Sequence, residues 1–380
     1  MIYLDNAATS FPKPKSVQDE VLCCIKNYGG NPGRGSHALS LAAADKIYEC
    51  RAALSGLFGL GAPENAVFTL NATQALNTVI KGALRQGDHV LISDMEHNAV
   101  FRPIYRLARE GFIKYSVFRT FPDRPELEDH IIADISAKLT PRTRMLVCTH
   151  ASNICSAVLP IGKIGELCRR NGILFVVDAA QSAGHIPIDF NLLGADAVCL
   201  PGHKGLYGPQ GCGAILMREG LTLKTLTEGG NGVNSLEGTM PELPPERYEA
   251  GTLPTPAVAG LLRGAEEVSR LGIENIHRHE CALFEYARDG LSELGGVKIY
   301  APSRVGSVLL FNIDGKSADS VGDALNGAGI CVRSGYHCAA LAHKTLATPP
   351  GGAVRVSFGI YNTLADVDTL VNALHTIKSL

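Results

Sequence analysis

Residues 174–213 read LFVVDAAQSAGHIPIDFNLLGADAVCLPGHKGLYGPQGCG, and this stretch decides the fold. It contains two short apolar runs, residues 174–177 and residues 197–200, which lie among glycine- and proline-containing turns. Short continuous apolar runs of this kind are typical of buried strands in a central parallel sheet. The sequence therefore predicts an α/β protein built around such a sheet.

Polar residues follow both apolar runs. Asp178 comes directly after the first run, and Lys204 comes shortly after the second. Open α/β sheets bind ligands at the carboxyl ends of their strands. A carboxylate and a lysine presented there suit pyridoxal phosphate, with Lys204 bonded to the cofactor and Asp178 holding the pyridine nitrogen protonated. Gln181 and His185 follow Asp178 closely enough to line the same site. Taken alone, Asp178 is more commonly a strand-end residue in a turn, and Lys204 is more commonly a surface residue in a glycine-rich loop.

The joint pattern DAAQ…GH…D…GHKGLYGP…G resembles the class V aminotransferases and, within them, the cysteine desulfurases. The resemblance implies that Lys204 is the cofactor lysine, with His203 beside it in the site. It also implies that Asp178 pairs with the pyridinium nitrogen and that Gln181 contacts the ring hydroxyl.

The resemblance extends from Tyr3 to Asn362 and implies the family's fold. That fold is the PLP-dependent transferase fold type I, whose large domain has a seven-stranded, mostly parallel sheet. We expect the large domain to comprise residues 15–255, and a small C-terminal α+β domain to comprise residues 1–14 and 256–380. Alternation of strands and helices alone would predict only the α/β class.

One wall of the phosphate site is expected where a strand at residues 66–70 gives way to a helix. The first helical turn has free backbone N–H groups, and its dipole favours an anion. A residue there is, taken by itself, more commonly a plain cap. The resemblance implies that this wall is formed by Ala72, Thr73 and Gln74.

Two further strand ends supply cofactor residues by the same resemblance. Met95-Glu96-His97 resembles the segment whose histidine stacks on the cofactor ring, and an imidazole there can also exchange protons near neutral pH. Asn153, which follows a strand at residues 145–149, is implied to contact cofactor or substrate. Cys155 is close to this site in the sequence without an assigned role.

The substrate residues are expected near the C-terminus, where R-x-G-x-H-C-A is followed by V-R-V-S. One loop cysteine among eleven would be incidental by itself. The matched pattern implies that Cys338 is the sulfur-accepting nucleophile and that Arg355 binds the substrate carboxylate, a task suited to a planar guanidinium. Arg333 and His337 are expected to flank the cysteine as cations and to favour its thiolate.

A proline- and glycine-rich segment, residues 229–256, is predicted to form an extended, irregular arm. Within it, Tyr248-Glu249-Ala250-Gly251-Thr252 resembles the motif whose threonine reaches the cofactor phosphate of the neighbouring subunit. Thr252 thus implies a homodimer with shared active sites. In the family, the loop at residues 31–37 borders the entrance, which makes Arg34 and His37 secondary candidates.

Composition restricts the class of protein. A net charge of −2 over 380 residues gives no electrostatic case for nucleic acid or an anionic membrane as partner. No apolar run approaches the roughly 18 residues of a membrane span, and no signal peptide is recognisable at the N-terminus. The eleven cysteines have no metal-type spacing, and their odd number argues against a disulfide framework. We therefore expect a reduced, cytoplasmic protein without a metal.

The resemblance implies a cysteine desulfurase that converts L-cysteine to L-alanine and keeps the sulfur as a persulfide on Cys338. Lys204 is expected to act as the base, with His97 assisting. The alternatives are a selenocysteine lyase acting on L-selenocysteine, a class V aminotransferase, and a catalytically silent relative that binds a sulfur-transfer partner. The identity of a sulfur-acceptor protein stays open, as does the order of the loop at residues 339–352.

Overall fold

The structure, a computed structural model, describes residues 1–33 and 35–379. Arg34, a secondary candidate for the site entrance, lies outside the described residues. The strands are β1 (Ile2–Tyr3), β2 (Ala66–Thr69), β3 (His89–Ser93), β4 (Lys114–Phe118), β5 (Thr143–Thr149), β6 (Leu174–Asp178), β7 (Ala197–Pro201), β8 (Gly213–Met217), β9 (Val297–Tyr300), β10 (Val308–Ile313), β11 (Ile330–Cys331), β12 (Arg333–Gly335) and β13 (Ala353–Ser357).

The helices alternate with these strands through most of the chain. They are α1 (Lys15–Cys23), α2 (Ala38–Phe58), α3 (Ala72–Ala83), α4 (Asn98–Arg109), α5 (Glu128–Lys138), α6 (Ile161–Arg170), α7 (Phe190–Leu193), α8 (Thr255–Leu271), α9 (Ile273–Glu293), α10 (Ala318–Gly327), α11 (Ala340–Thr345) and α12 (Leu364–Ser379). No helix in the described part of the chain is long and apolar enough to cross a membrane.

The largest sheet has seven strands in the order β2-β8-β7-β6-β5-β3-β4. The neighbours from β7 to β4 run parallel, and β8 runs antiparallel to both of its neighbours. Every residue of β3, β6, β7 and β8 is buried, because helices cover both faces of the sheet. This is why these strands are continuous apolar runs, and the predicted seven-stranded, mostly parallel sheet is confirmed.

A second, four-stranded antiparallel sheet has the order β12-β13-β10-β9. Apolar side chains from α9, α10 and α12 pack against it in a separate core. Strand β1 pairs in parallel with β11, which brings the N-terminal residues to this part of the molecule. The boundaries between the two domains stay a prediction.

The N-terminal segment, defined as residues 2–13, joins this smaller sheet to the loop that carries Lys204. At one end, Ser357 N donates to Leu4 O at 2.8 Å. At the other end, the Ser10 hydroxyl donates to Lys204 O at 3.0 Å. The segment therefore connects the C-terminal strand β13 directly to the turn after β7.

Between β8 and α8, residues 218–254 contain no helix and no strand. Turns and bends follow one another throughout the segment, which contains four of the twenty prolines of the chain. The predicted irregular arm is confirmed, although α8 begins at Thr255, slightly before the predicted end of the arm. Thr252 is exposed on this arm.

Candidate active site

A cavity of about 230 Å³ lies at the carboxyl ends of β5, β6 and β7, where loops of the smaller sheet face the large one. Most of the predicted site residues line it: Ala72, Thr73, His97, Asn153, Asp178, Gln181, His203, Lys204, Arg333, His337 and Arg355. Gln74, Thr252 and Cys338 are not among the residues that line it. The sheet thus brings together side chains that are up to 283 positions apart in the sequence.

Lys204 lies in the turn after β7, with its amine directed into a largely desolvated environment. Burial lowers the pKa of Lys204 to about 8, and Arg355 and Arg333 add to the lowering. Asp178 acts in the opposite direction and favours the ammonium form. A substantial fraction of neutral amine is therefore present near pH 8, which is the form that attacks a carbonyl or accepts a proton.

Asp178 ends β6 and is only 2% exposed. Burial raises its pKa, against the opposing effects of the Ala180 N–H, which donates to Oδ1 at 2.9 Å, and of Lys204. A buried carboxylate is stabilised by a facing cation or N–H donor, and a pyridinium N–H supplies both. Gln181 lies one turn further on, where its Nε2 donates to Ala7 O at 2.9 Å.

The start of α3 forms another wall of the cavity. Asn71 caps the helix, since its Oδ1 accepts from Gln74 N at 2.9 Å. Gln74 Oε1 in turn accepts from Leu70 N at 2.7 Å, an arrangement similar to a capping box but shifted to the residue before the N-cap. Gln74 therefore caps the helix with its side chain, whereas Thr73 lines the cavity, where an anion meets the free N–H groups of the first turn.

His97 caps α4, and its Nδ1 accepts from Ala99 N at 3.0 Å. In the neutral ring the proton is therefore on Nε2. Burial lowers the pKa of His97 to about 4, with Lys204 and Arg333 adding to the effect. A neutral imidazole with an occupied Nδ1 is a poor base, so this geometry favours Lys204 over His97 as the group that accepts the substrate proton.

Arg355 projects from β13 and is 1% exposed. Its Nη2 donates to Asp5 Oδ1 at 2.6 Å, and its Nη1 donates to Asn153 O at 3.0 Å. Its buried Nε has no hydrogen-bond partner among the described residues. Since Arg355 lines the cavity, a substrate carboxylate would provide the missing acceptor.

Cys338 lies at the rim of the cavity and is the one cysteine classed as exposed among the eleven. Its backbone is in the left-handed region, with φ of 57°, and the preceding His337 has φ of 50°. Arg333 Nη2 is 4.0 Å from Cys338 Sγ. Burial, with a further effect of Arg355, lowers the pKa of His337 to about 3, so His337 is neutral. The low pKa of His337 argues against a second cation beside the thiol, because His337 is desolvated and faces two guanidinium groups.

Cys155 and His185, which are close to predicted site residues in the sequence, do not line the cavity. Cys155 is 1% exposed and packs in an apolar cluster with Met95 and Leu310, and burial raises its pKa. His185 does not line the cavity, since its Nδ1 lies 2.9 Å from both carboxylate oxygens of Glu280 on α9. Burial acts to lower the pKa of His185, but the contacts with Glu280 outweigh it and raise the pKa.

Two carboxylates next to the site were missed from the sequence. Glu96 is fully buried, and its Oε1 accepts from Thr149 N at 2.9 Å and from the Ser93 hydroxyl. Burial raises its pKa to about 8, so Glu96 is protonated at pH 7. Its position beside His97 in the sequence was the available signal. Asp5, the partner of Arg355, is 350 positions away from it, and no local pattern marks such a pair.

Comparison with known proteins identifies the family. The family profile for Aminotransferase class-V matches residues 2–370. A probable cysteine desulfurase of Methanothermobacter thermautotrophicus is 34% identical, with 100% of this chain and 95% of the relative covered. A probable cysteine desulfurase of Mycolicibacterium paratuberculosis is 35% identical over 99% of this chain, which spans 55% of that relative.

Solved structures agree with this result. An apo cysteine desulfurase from Thermococcus onnurineus NA1 has a TM-score of 0.90 at 31% identity, covering 100% of this chain and 94% of the other. The cysteine desulfurase CsdA from Escherichia coli, solved as its S-sulfonic acid, has a TM-score of 0.88 at 27% identity, covering 98% and 94%. The chain belongs to the class-V aminotransferase family. Within that family, these relatives are cysteine desulfurases.

Proposed function

We propose that this protein is a cysteine desulfurase that converts L-cysteine to L-alanine and retains the sulfur as a persulfide on Cys338. The observation that carries the proposal is the convergence of Lys204, Asp178 and Arg355 on one cavity, with Cys338 at its rim. These residues provide an amine, a buried carboxylate, a carboxylate-binding cation and a thiol within one site. The sequence pattern predicts the corresponding roles for the same four residues.

The residues present fit pyridoxal phosphate. Lys204 has the depressed pKa that covalent attachment requires, Asp178 is a buried carboxylate suited to a pyridinium, and Thr73 opens a helix suited to the phosphate. His97 and Gln181 line the same cavity beside them. When bound, pyridoxal phosphate supplies an electron sink for the substrate carbon that loses its proton.

Three side chains carry out the remaining steps of the reaction. Arg355 binds the substrate carboxylate through its unpaired Nε and so orients the amino acid. The Lys204 amine takes the Cα proton and returns a proton to carbon later. The Cys338 thiolate attacks the substrate sulfur, so that one C–S bond breaks and one S–S bond forms. The overall exchange of L-cysteine and a thiol for L-alanine and a persulfide involves no external oxidant or reductant.

Alternative activities differ in their use of Cys338. A class V aminotransferase has no need of a thiol at the rim, and a silent relative has no need of the Lys204, Asp178 and Arg355 set. A selenocysteine lyase would use the same cofactor residues, but selenium leaves carbon more readily than sulfur. The activity that is lost when Cys338 is replaced therefore distinguishes a cysteine desulfurase from a selenocysteine lyase.

The proposal also includes a homodimer, a sulfur-acceptor protein and a cytoplasmic location. Thr252 is exposed on the irregular arm, away from the residues of its own cavity, which supports a homodimer in which it serves the partner site. An exposed Cys338 supports transfer of the persulfide sulfur to an acceptor protein. Cysteines without disulfide partners support a reducing, cytoplasmic location.

The test is a Cys338→Ser variant assayed with L-cysteine for alanine and sulfide together. Cofactor binding should be retained, while alanine formation should fall on the order of a hundredfold or more. Activity on L-selenocysteine should fall much less. Cys155→Ser is the matched control, because that thiol is buried in an apolar cluster and should leave turnover unchanged.

Two results would overturn the proposal. One is transamination of L-cysteine without alanine and sulfide formation by the wild-type protein. The other is loss of turnover in Cys155→Ser together with full activity in Cys338→Ser.

A further inference from the structure

A chain of hydrogen bonds next to Cys338 includes residues that the proposed mechanism does not use. His337 Nε2 lies 3.1 Å from Arg333 O, and His337 Nδ1 lies 3.1 Å from His343 Nε2. His343 Nδ1 lies 2.9 Å from Thr348 Oγ1. The two imidazole rings are nearly parallel and meet edge to edge through this contact, with centroids 5.4 Å apart and planes at 12°. We refer to Arg333 O, His337, His343 and Thr348 as the imidazole chain.

The imidazole chain has one arrangement of hydrogens when both rings are neutral. Arg333 O can only accept, so His337 Nε2 carries the proton and donates to it. His337 Nδ1 must then accept from His343 Nε2–H. His343 Nδ1 must accept from the Thr348 hydroxyl. Donation therefore runs in one direction, from Thr348 to Arg333 O.

Both rings are neutral because of their surroundings. His337 and His343 are each 3% exposed. Burial lowers the pKa of His337 to about 3, and the groups that face it, Arg355 on β13, Arg333 on β12 and His343 on α11, contribute no compensating negative charge. Burial also lowers the pKa of His343 to about 4. The imidazole chain thus contributes geometry to the site, not charge.

The imidazole chain contacts a turn, His337-Cys338, whose backbone conformation is unfavourable. His337 and Cys338 both have left-handed φ values, which are unfavourable for residues other than glycine. Asn153 Nδ2 donates to His337 O at 2.8 Å, and Asn98 N donates to Cys338 O at 2.7 Å. These two bonds fix the carbonyl groups of the turn. The side chain of His337 is fixed by His343 and Arg333 O.

His343 is itself carried on an anchored element. It lies on α11, whose Ala342 and the following Leu346 are buried in a cluster with Met95 and Ile154. The cluster belongs partly to the turns after β3 and β5, at the carboxyl edge of the large sheet. Through its hydrogen bond to His337, His343 therefore fixes the turn that carries Cys338 relative to that edge.

We propose that His343 is a positioning residue for sulfur transfer: its Nε2–H holds His337, and through His337 the left-handed turn that presents Cys338 to the cavity. The proposal rests on the proposed function of Cys338 as nucleophile. It assigns a role to a buried histidine on α11 that lies beside an apolar cluster.

The test uses His343→Gln, His343→Asn and His343→Leu in the cofactor-loaded enzyme. The glutamine amide reaches the position of Nε2 and can donate to His337, whereas the asparagine amide reaches only the position of Nδ1. We expect His343→Gln to keep kcat with L-cysteine within about threefold of wild type, whereas His343→Asn and His343→Leu should lose roughly tenfold or more. KM and the visible absorbance of the cofactor should stay unchanged in all three variants.

Hydrogen–deuterium exchange of the peptide spanning residues 336–348 provides a readout that needs no turnover. Exchange should be faster in the asparagine and leucine variants and close to wild type in the glutamine variant. Lys344→Gln, at an exposed position on the same helix, is the matched control and should change neither measurement.

Equal behaviour of the glutamine and asparagine variants, in either direction, would overturn the proposal, as would wild-type kcat in His343→Leu. If His343→Leu fails to fold, the glutamine and asparagine pair still decides, because these two differ only in reach. If the wild-type enzyme forms no alanine from L-cysteine, the function proposed above fails, but the exchange measurement still tests the role of His343.

Discussion

At the scale of single residues, burial is the dominant influence on the chemistry of the site. It lowers the pKa of Lys204 toward neutrality and keeps His97 and His337 uncharged. It raises the pKa of Asp178, although Lys204 partly offsets this effect. The site therefore holds few net charges, so that each remaining charge acts strongly on a bound substrate.

The depressed pKa of Lys204 gives a direct prediction for the cofactor-free protein. Capture of pyridoxal phosphate needs the neutral amine, so its rate should rise with pH and reach half of its plateau near pH 8. Stopped-flow absorbance between pH 6.5 and 9.5 would measure this rate. Asp178→Asn should shift the midpoint to lower pH, because Asp178 favours the charged form of Lys204.

The control for this experiment is Nα-acetyl-lysine, whose amine titrates near its ordinary pKa of about 10.4. The same control corrects for ionisation of the cofactor itself. A midpoint for the protein that coincides with that of acetyl-lysine would contradict the desolvated environment of Lys204.

At the scale of elements, neighbouring residues at the start of α3 have different structural roles. The sequence analysis predicted Ala72, Thr73 and Gln74 as one phosphate wall. In the structure, Gln74 Oε1 accepts from Leu70 N and Asn71 Oδ1 accepts from Gln74 N. The side chain of Gln74 thus stabilises the helix, while Thr73 faces the cavity.

This division predicts two distinct phenotypes. Thr73→Val should raise the dissociation constant for pyridoxal phosphate roughly tenfold or more, because a hydrogen bond to a charged group is lost. Gln74→Ala should lower the free energy of unfolding by about 1 kcal/mol, with a much smaller change in cofactor affinity. Absorbance titration of the cofactor-free protein and urea unfolding would measure the two effects. An equal loss of affinity in both variants would contradict the assignment.

Elements of the fold were more predictable from the sequence than contacts between them. The strands that contain the apolar runs 174–177 and 197–200 were recognisable because sheets covered on both faces need uninterrupted apolar residues. Asp178 and Lys204 were recognisable because they follow such strands. Asp5 was not, because its partner Arg355 is 350 positions away. His343 was not, because no sequence pattern marks its contact with His337, six residues earlier.

At the scale of the whole molecule, the arm at residues 218–254 leaves Thr252 exposed, with only a weak contact of 3.5 Å from Asn31 Nδ2 to its hydroxyl. If Thr252 serves the cavity of a second copy, two inactive variants should complement each other. In a hybrid of Lys204→Ala and Thr252→Ala subunits, one site carries both defects and the other carries neither.

Mixing the two variants under conditions of subunit exchange should therefore restore activity to about a quarter of the wild-type value, because about half of the dimers are hybrids. Steady-state alanine formation measures the rescue, and light scattering measures the mass. Lys204→Ala mixed with wild type controls for exchange. An absence of rescue despite proven exchange, or a monomer at micromolar concentration, would contradict the shared site.

The N-terminal segment, residues 2–13, has a consequence for the order of events during synthesis. Its partners include Ile330, Ser357 and Asn362, which all lie in the C-terminal part of the chain and leave the ribosome late. At translation rates of ~5–20 residues per second, roughly 20 to 70 s separate the appearance of Asp5 from that of Arg355. The large sheet can assemble in this interval, but the end of the cavity that Arg355 lines cannot. That end of the cavity is therefore completed in the last seconds of translation, after β7 and the turn that carries Lys204 have been synthesised.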